Sequence, residues 1–356
     1  MKILYVSDAQ SIHTRRWAEY FRDQGDEVHV ASLRPGKIEG VQVHVLNTYG
    51  FGKCGYFLTI PKLRRLASKI KPDIVHAQYV TSYGFLAAVA LLKPLIVTAW
   101  GGDVLESPRD SIVSRWLARI ALKRADRVTA VAEHMKQVIQ ELGVPAASIT
   151  AAPFGVDVEL FRPPLQPRLL TPPLRIISTR NFAPVYSIHT VIEAVNKLHK
   201  RGLDITLDLV GDGPLRQTLE EQVVTLGIKE IVHFHGHVDP SRMVNLLGQA
   251  HIFVSSSLSD GNNVSLNEAM ACGCIPVATR IPANEQWITH ADNGFLFTPG
   301  DHEMLAEMIE QAGAMAERDT IVLKNRRIVE ECADWRDCAR RMRNIYLELS
   351  DPKRLI

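Results

Sequence analysis

Short apolar runs of strand length alternate along this chain with longer stretches in which apolar residues recur every three or four positions. Lys2–Ser7 reads as a strand, His13–Gln24 as a helix and Glu27–Ser32 as a second strand. Ile74–Ala77 and Leu95–Ala99 are strands on either side of the apolar segment Phe85–Leu92. Ser111–Lys123 reads as an amphipathic helix and Arg127–Val131 as another strand. The alternation restarts with a strand at Arg175–Thr179, a helix at His189–His199, a strand at Ile205–Val210 and a helix at Leu215–Leu226. Ile231–Phe234 and His251–Ser255 add strands, and a long helix runs from about Trp335 to Leu349. This order predicts an α/β architecture with parallel, doubly wound sheets.

The two series are separated by Pro163, Pro164, Pro167, Pro172 and Pro173, a density of proline that suits neither a helix nor a sheet interior. The expected division is an N-terminal domain over 1–165, a C-terminal domain over 166–334 and a closing helix over 335–356. A length of 356 residues agrees, because it exceeds what one hydrophobic core usually supports. Two Rossmann-like domains joined by a hinge would place a site in the cleft beyond the carboxyl ends of their strands.

Composition narrows the class. Hydrophobic residues make up 46% and charged residues 22%, as in ordinary globular proteins. No apolar run reaches membrane-spanning length, and Met1–Val6 leads into Ser7-Asp8 as a first strand instead of a signal peptide. Five cysteines show neither zinc spacing nor a secreted framework, so the cytosol is the expected compartment. Residues 1–160 hold 20 Lys/Arg against 15 Asp/Glu, and the remainder holds 21 against 24. That excess is too small for a nucleic-acid partner, but a modestly basic N-terminal half suits peripheral contact with an anionic membrane at its inner, cytoplasmic face. Lys62, Arg64, Arg65, Lys69 and Lys71 form one basic stretch. Arg115, Arg119 and Lys123 form another, beside Val113, Trp116, Leu117 and Ile120. The solvent face of helices packed on a sheet would look the same.

Candidate chemistry concentrates in Ser257–Thr279, SLSDGNNVSLNEAMACGCIPVAT. Asp260 and Glu268 flank a polar turn that runs into an Ala-rich helix, with Pro276 leading to a strand over Val277–Thr279. A loop that becomes a helix N-terminus receives anions on its free N–H groups. Carboxylates on either side can hold hydroxyls, and the combination describes a nucleotide sugar. A structural reading competes. Ser265-Leu266-Asn267-Glu268 fits a capping box with Ser265 as the cap, and Asp260, Asn262 and Asn263 are ordinary turn residues. In the N-terminal half, Ser11 and His13 lie where the first strand gives way to a helix, and His76 ends another strand. Strand ends of this kind face the cleft, although a buried, hydrogen-bonded role is equally open to both histidines. Asp103 reads as a cap for the helix that follows it.

The chain resembles the retaining glycosyltransferases of family 4, which have the GT-B fold. The matching runs are Pro153-Phe154-Gly155-Val156-Asp157, Phe161-Arg162-Pro163, Val210-Gly211-Asp212-Gly213-Pro214-Leu215 and Phe234-His235-Gly236. Asp260–Pro276, Asn293-Gly294-Phe295 and Pro299-Gly300-Asp301 follow in the family's order. The N-terminal half matches more loosely, through its first strand and helix and Asp73-Ile74-Val75-His76. The resemblance implies an acceptor-binding and a donor-binding Rossmann-like domain, an interdomain cleft and a last helix that crosses back to the N-terminal domain. It implies transfer from a nucleoside-diphosphate sugar, a UDP-sugar by default, to a saccharide or lipid-linked acceptor with retention at the anomeric carbon. Lipopolysaccharide or other envelope polysaccharide synthesis is the implied setting. No metal or other cofactor is expected, and a donor phosphate oxygen would help deprotonate the acceptor.

By position, Glu268 would hold the ribose hydroxyls and Asp260 the hydroxyls of the donor sugar. The backbone of Gly261, Asn262, Asn263, Val264 and Ser265 would line the sugar and diphosphate, and Arg180 matches the arginine that grips the diphosphate. Asp260, Arg180 and His13 are the expected catalytic residues, and His233, His235 and His237 the expected neighbours of the base. Three departures stand out. Asp260 replaces the usual Glu, and Asn181–Ser187 lacks the family's lysine, which leaves the diphosphate to Arg180, backbone, or a hydroxyl of Tyr186 or Ser187. Trp100, ahead of Gly101-Gly102-Asp103, stands where the family usually has a histidine followed by Gly-x-Asp; Trp100 can pack on a sugar face but carries no titrating proton. A GDP-sugar (mannosyl-type) donor, a nucleotide-sugar epimerase and a non-catalytic sugar-nucleotide binding subunit are the competing functions.

Overall fold

A computed structural model describes residues 1–48, 50, 55–164, 171–315 and 317–350. The expected domain boundary at 165/166 and Pro167 lie outside the described residues, as does the end of the closing segment from 351 on. The chain forms two compact units, one of Met1–Phe154 with Arg336 onward and one of Gly155–Trp335. Residues 155–164 therefore pack with the second unit and not the first. Val156, Val158 and Phe161 are buried in its core, and Val156 and Trp335 are joined by an N–H···O bond of 2.9 Å. Gly155 allows this approach. It has φ +72°, and a Cβ there would stand 2.8 Å from Trp335 Cα.

The first unit contains β1 (Lys2–Val6), β2 (Glu27–Ser32), β3 (Gln42–Val45), β4 (Ile74–Gln78), β5 (Leu95–Ala99), β6 (Arg127–Ala130) and β7 (Ile149–Ala151). All run parallel in the order β3-β2-β1-β4-β5-β6-β7. Every residue of β4 and β5 is buried, the polar His76, Gln78 and Thr98 included. The winding reverses between β1 and β4, where such sheets bind ligands. Ser11 caps helix Ile12–Asp23 by accepting the His13 N–H, and that helix buries Trp17, Ala18 and Phe21.

The helix Trp335–Ser350 completes this unit. Tyr346 is fully buried, with its ring 4.9 Å from that of Phe21. Its hydroxyl lies 3.0 Å from the Tyr5 hydroxyl and 2.5 Å from His76 Nδ1. His76 Nε2 is 2.5 Å from Thr98 Oγ1, which is 2.6 Å from Thr129 Oγ1. Arg343 pairs with Asp26 at 2.5 Å. A buried network of this kind is stable only when all its members are partnered.

The second unit repeats the winding with β8 (Leu174–Ser178), β9 (Ile205–Val210), β10 (Val232–Gly236), β11 (Ile252–Ser255), β12 (Ile275–Thr279) and β13 (Phe295–Phe297). Their order is β10-β9-β8-β11-β12-β13, again parallel. β12 starts before Pro276, not after it. The proline ring is accommodated by Gly294, where a Cβ would come within 2.6 Å of Pro276 Cγ. One core gathers Ile188, Val191 and Val195 with Leu305 and Ile309, and a second gathers Leu266, Ala269 and Met270 with Val329. The start of helix Val264–Ala271 is thereby held rigidly beside the ends of β8 and β11.

Candidate functional site

In the second unit the loop after β8 carries Arg180, and the loop after β11 runs through Asp260 to helix Val264–Ala271. Arg180 Nη2 donates to Asp260 Oδ2 at 2.5 Å and Nη1 to Asn263 Oδ1 at 3.0 Å. The guanidinium stacks on Tyr186, 4.3 Å from the ring centroid. Three of the predicted residues thus meet on one arginine, and Asn263 gains a role that the sequence reading did not separate from turn chemistry. Asn263 is the helix cap, accepting the Leu266 N–H, so the capping box centred on Ser265 does not form. The cap falls two residues earlier because the Asn263 amide satisfies several groups at once. Its Nδ2 also donates to Ser255 Oγ and Asn284 Oδ1, both at 2.9 Å. Ser265 Oγ instead donates to the Thr179 carbonyl at 3.4 Å. Asn262 Oδ1 accepts from Trp287 Nε1 at 3.2 Å, Gly261 is buried, and Glu268 lies half-buried on the helix.

Several buried polar atoms around this turn have no hydrogen-bond partner among the described residues: Ser178 Oγ, Thr179 Oγ1, Arg180 Nε, Asn262 Nδ2 and Asn267 Oδ1. Such atoms are rare in folded proteins and call for a ligand or ordered water. An N–H of a guanidinium, an amide and a helix N-terminus together suit an anion that also accepts hydrogen bonds. Ser187, considered as a substitute for the missing lysine, does not fit that role, since its hydroxyl is buried and sits 2.9 Å from Thr190 Oγ1. Tyr186 acts through its ring, beneath Arg180. The glycines of Gly211-Asp212-Gly213 let β9 exit directly under this arginine. A Cβ on Gly211 would meet the Arg180 carbonyl at 2.5 Å, and one on Gly213 the Phe182 carbonyl at 2.6 Å. His235 pairs with Asp208 at 2.6 Å and accepts from Arg242 at 3.4 Å. Among the described residues no group of His, Cys, Asp and Glu assembles as a metal site.

The first unit has a pocket of about 580 Å³ at the ends of β1, β4 and β5. Ser7, Asp8, Ser11, Gln78, Tyr79 and Trp100 line it, along with Tyr56, Tyr83 and Arg34. Ser7 and Thr14 hold one end of the Gln78 amide, at 3.0 and 3.3 Å. The other end, Nε2, is buried with no partner among the described residues, as is Trp100 Nε1. His13 stacks on Phe154 with centroids 4.2 Å apart and meets Trp100 edge-on at 5.5 Å. Burial, with a smaller contribution from Arg16, lowers its pKa to about 4, so the ring is neutral at physiological pH.

Two expectations fail in this unit. His76 does not reach the pocket. It is 1% exposed, bonded at both ring nitrogens, and burial lowers its pKa to about 3. Asp103 caps no helix of its own. Buried completely, it accepts N–H groups from Val80, Trp100 and Gly101 at 2.7–3.0 Å, and so ties the ends of β4 and β5 together. Gly101 supports this turn with φ +137°. Gln78 and Tyr79 were missed by sequence reasoning. A polar residue closing an apolar strand was the available signal for Gln78, whereas the positive φ of Tyr79 (+78°) has no trace in the sequence.

Two parallel sheets wound alike, with the second carrying a fixed arginine at a helix start after its fourth strand, are the architecture of the GT-B fold. Residues 2–132 match the family model described as Glycosyl transferase 4-like, and residues 166–343 match that of Glycosyl transferases group 1. The latter spans half of the chain, and the chain belongs to the group 1 glycosyltransferases of the family-4 type. Among relatives, N-acetyl-alpha-D-glucosaminyl L-malate synthase of Bacillus anthracis is 26% identical over 81% of this chain and 80% of its own. The UDP-Gal:alpha-D-GlcNAc-diphosphoundecaprenol alpha-1,3-galactosyltransferase of Escherichia coli is 26% identical over 67% of this chain and 66% of its own. HepE of Anabaena, solved with UDP and glucose, superposes with a TM-score of 0.82 at 20% identity, covering 98% of this chain and all of that one. No helix among the described residues is long and apolar enough to cross a membrane.

Proposed function

We propose that this protein transfers a sugar, with retention, from a nucleoside-diphosphate sugar to a saccharide or lipid-linked acceptor in envelope glycoconjugate synthesis. The observation that carries the donor half is Arg180, fixed by Asp260, Asn263 and Tyr186 at the start of helix Val264–Ala271, with its Nε unpartnered among the described residues. A fixed cation and a helix N-terminus stabilise charge that develops on a departing diphosphate without reorganising during the reaction, and no metal is assigned a part. Asp260 then addresses donor-sugar hydroxyls and Glu268 the ribose. UDP is the favoured nucleotide, since HepE was solved with UDP and the E. coli relative is named for UDP-Gal.

The acceptor half rests on the aromatic pocket of the first unit. Its unpartnered amide and indole groups suit a hydroxyl-bearing ring, because a hydroxyl answers a donor or an acceptor with equal ease. A thermal-shift screen of UDP-, GDP- and ADP-sugars tests the donor. A ligand at about a hundred times its Kd stabilises the native state by about 2.7 kcal/mol, so the correct nucleotide stands out. A GDP-sugar response alone would replace UDP in this assignment, and no response to any of them would remove the assignment. The anomeric configuration of the product, read by NMR, decides between retention and inversion.

A further inference from the structure

Helices of an α/β unit bury one apolar face and turn polar residues to solvent. Two helices of the first unit break that pattern in the same way. Helix Ile112–Arg124 already buries Leu117, Ala118, Ala121 and Leu122, yet Ile112, Val113 and Trp116 remain 89%, 65% and 55% exposed. Helix Tyr56–Ile70 buries Ile60, Leu63 and Ala67 and leaves Phe57 and Leu58 57% and 52% exposed. The two exposed sets adjoin. The Phe85 ring lies 6.0 Å from that of Phe57 and 6.1 Å from that of Trp116. Single exposed apolar residues are commonplace, but a joined group of five marks a surface that is covered in use.

Charge identifies the cover. From Leu58, the residues four, seven and eleven positions on are Lys62, Arg65 and Lys69; from Ile112 they are Trp116, Arg119 and Lys123. Each helix therefore presents an apolar end that continues into a basic stripe. Together they carry eight lysines and arginines and no acidic residue. Lys62, Arg65 and Lys69 also line a groove of about 350 Å³ with His44. An apolar tip backed by unopposed cations matches a bilayer interface with anionic headgroups, whereas a second copy of this face would bring like charges together.

We infer that this face docks the first unit on an anionic lipid surface, with Phe57, Leu58, Ile112, Val113 and Trp116 in the interfacial layer and the basic stripes on headgroup phosphates. The test is sedimentation of the full chain with vesicles of phosphatidylcholine alone or mixed with phosphatidylglycerol, without any nucleotide sugar. The protein should pellet with the anionic vesicles and be released by added salt. Ile112→Ser and Trp116→Ser should each weaken binding about tenfold, and Arg119→Gln about fivefold, with melting temperatures unchanged. Wild-type protein that stays in solution with anionic vesicles would overturn the proposal. So would apolar variants that bind as wild type does, or a dimer that these variants dissolve in the absence of vesicle binding. Because donor and acceptor are absent, this result and the transferase assignment stand or fall separately.

Discussion

The two sheets share a winding, but the polar clusters at their strand ends are built by opposite means. In the second unit the loop after the first strand carries a cation that is already clamped, by a carboxylate, an amide and a ring. In the first unit the corresponding loop opens on an aromatic pocket whose polar groups are left waiting. A charged group common to many substrates rewards a rigid, prewired site, because the electrostatic gain depends on dipoles that need not move. A hydroxylated ring is recognised by shape and by a few unmatched donors and acceptors, which a change of one side chain can retune.

The largest test of this contrast is Arg180→Ala. It should lower kcat/KM by about 10²–10³ and abolish the nucleotide-sugar thermal shift, and retained activity would place the charge site elsewhere. Asn263→Ala should follow. It removes the cap and strands the partners of its amide, for a loss of about 2–4 kcal/mol in urea unfolding. If stability holds, the clamp is less integral than its hydrogen bonds imply. In the first unit, Trp100→Phe removes the waiting indole N–H and trims a ring that meets His13, Tyr79 and Phe154 edge-on. The acceptor KM should rise about fivefold while the donor thermal shift stays the same, and a change in the donor shift would blur the separation between the two sites. Acidification should separate the units more gently. Burial lowers His76 to about 3 and His13 to about 4, so below pH 6.5 the unfolded chain takes up protons that the folded one refuses. Stability then falls as pH drops from about 6.5 toward 4. Asp103, raised to about 6 by burial, opposes this in part. Scanning calorimetry at pH 7 and pH 5 should show the loss in the first unit, and His76→Gln should flatten it.

Much of the fold was legible because the strands write short runs that are continuously apolar or alternate, and their helices a three-to-four period. Glu27–Ser32, Leu95–Ala99 and Ile205–Val210 fall where that pattern puts them. The domain boundary was not legible, because prolines mark where a chain cannot be regular and not where its core begins; Val156 and Phe161 already belong to the second core. The cluster around Arg180 and Asp260 was largely visible, because its residues lie in two short loops with distinctive chemistry. The cap was not, since Asn263 and Ser265 both satisfy the local rule and only the distant Ser255 and Asn284 choose between them. Trp116 and Leu117 look alike in sequence as well. Only packing leaves the first exposed and buries the second.

Tyr346 sets an order on synthesis. Until the ribosome has made residue 346, Tyr5 and His76 lack the hydroxyl that joins them, and Asp26 lacks Arg343. The first unit, though begun first, therefore lacks its last helix while the whole second unit is translated. A released chain truncated after Asp334 should leave the Tyr5 and His76 side of the first core open to chaperones, while the second unit resists protease.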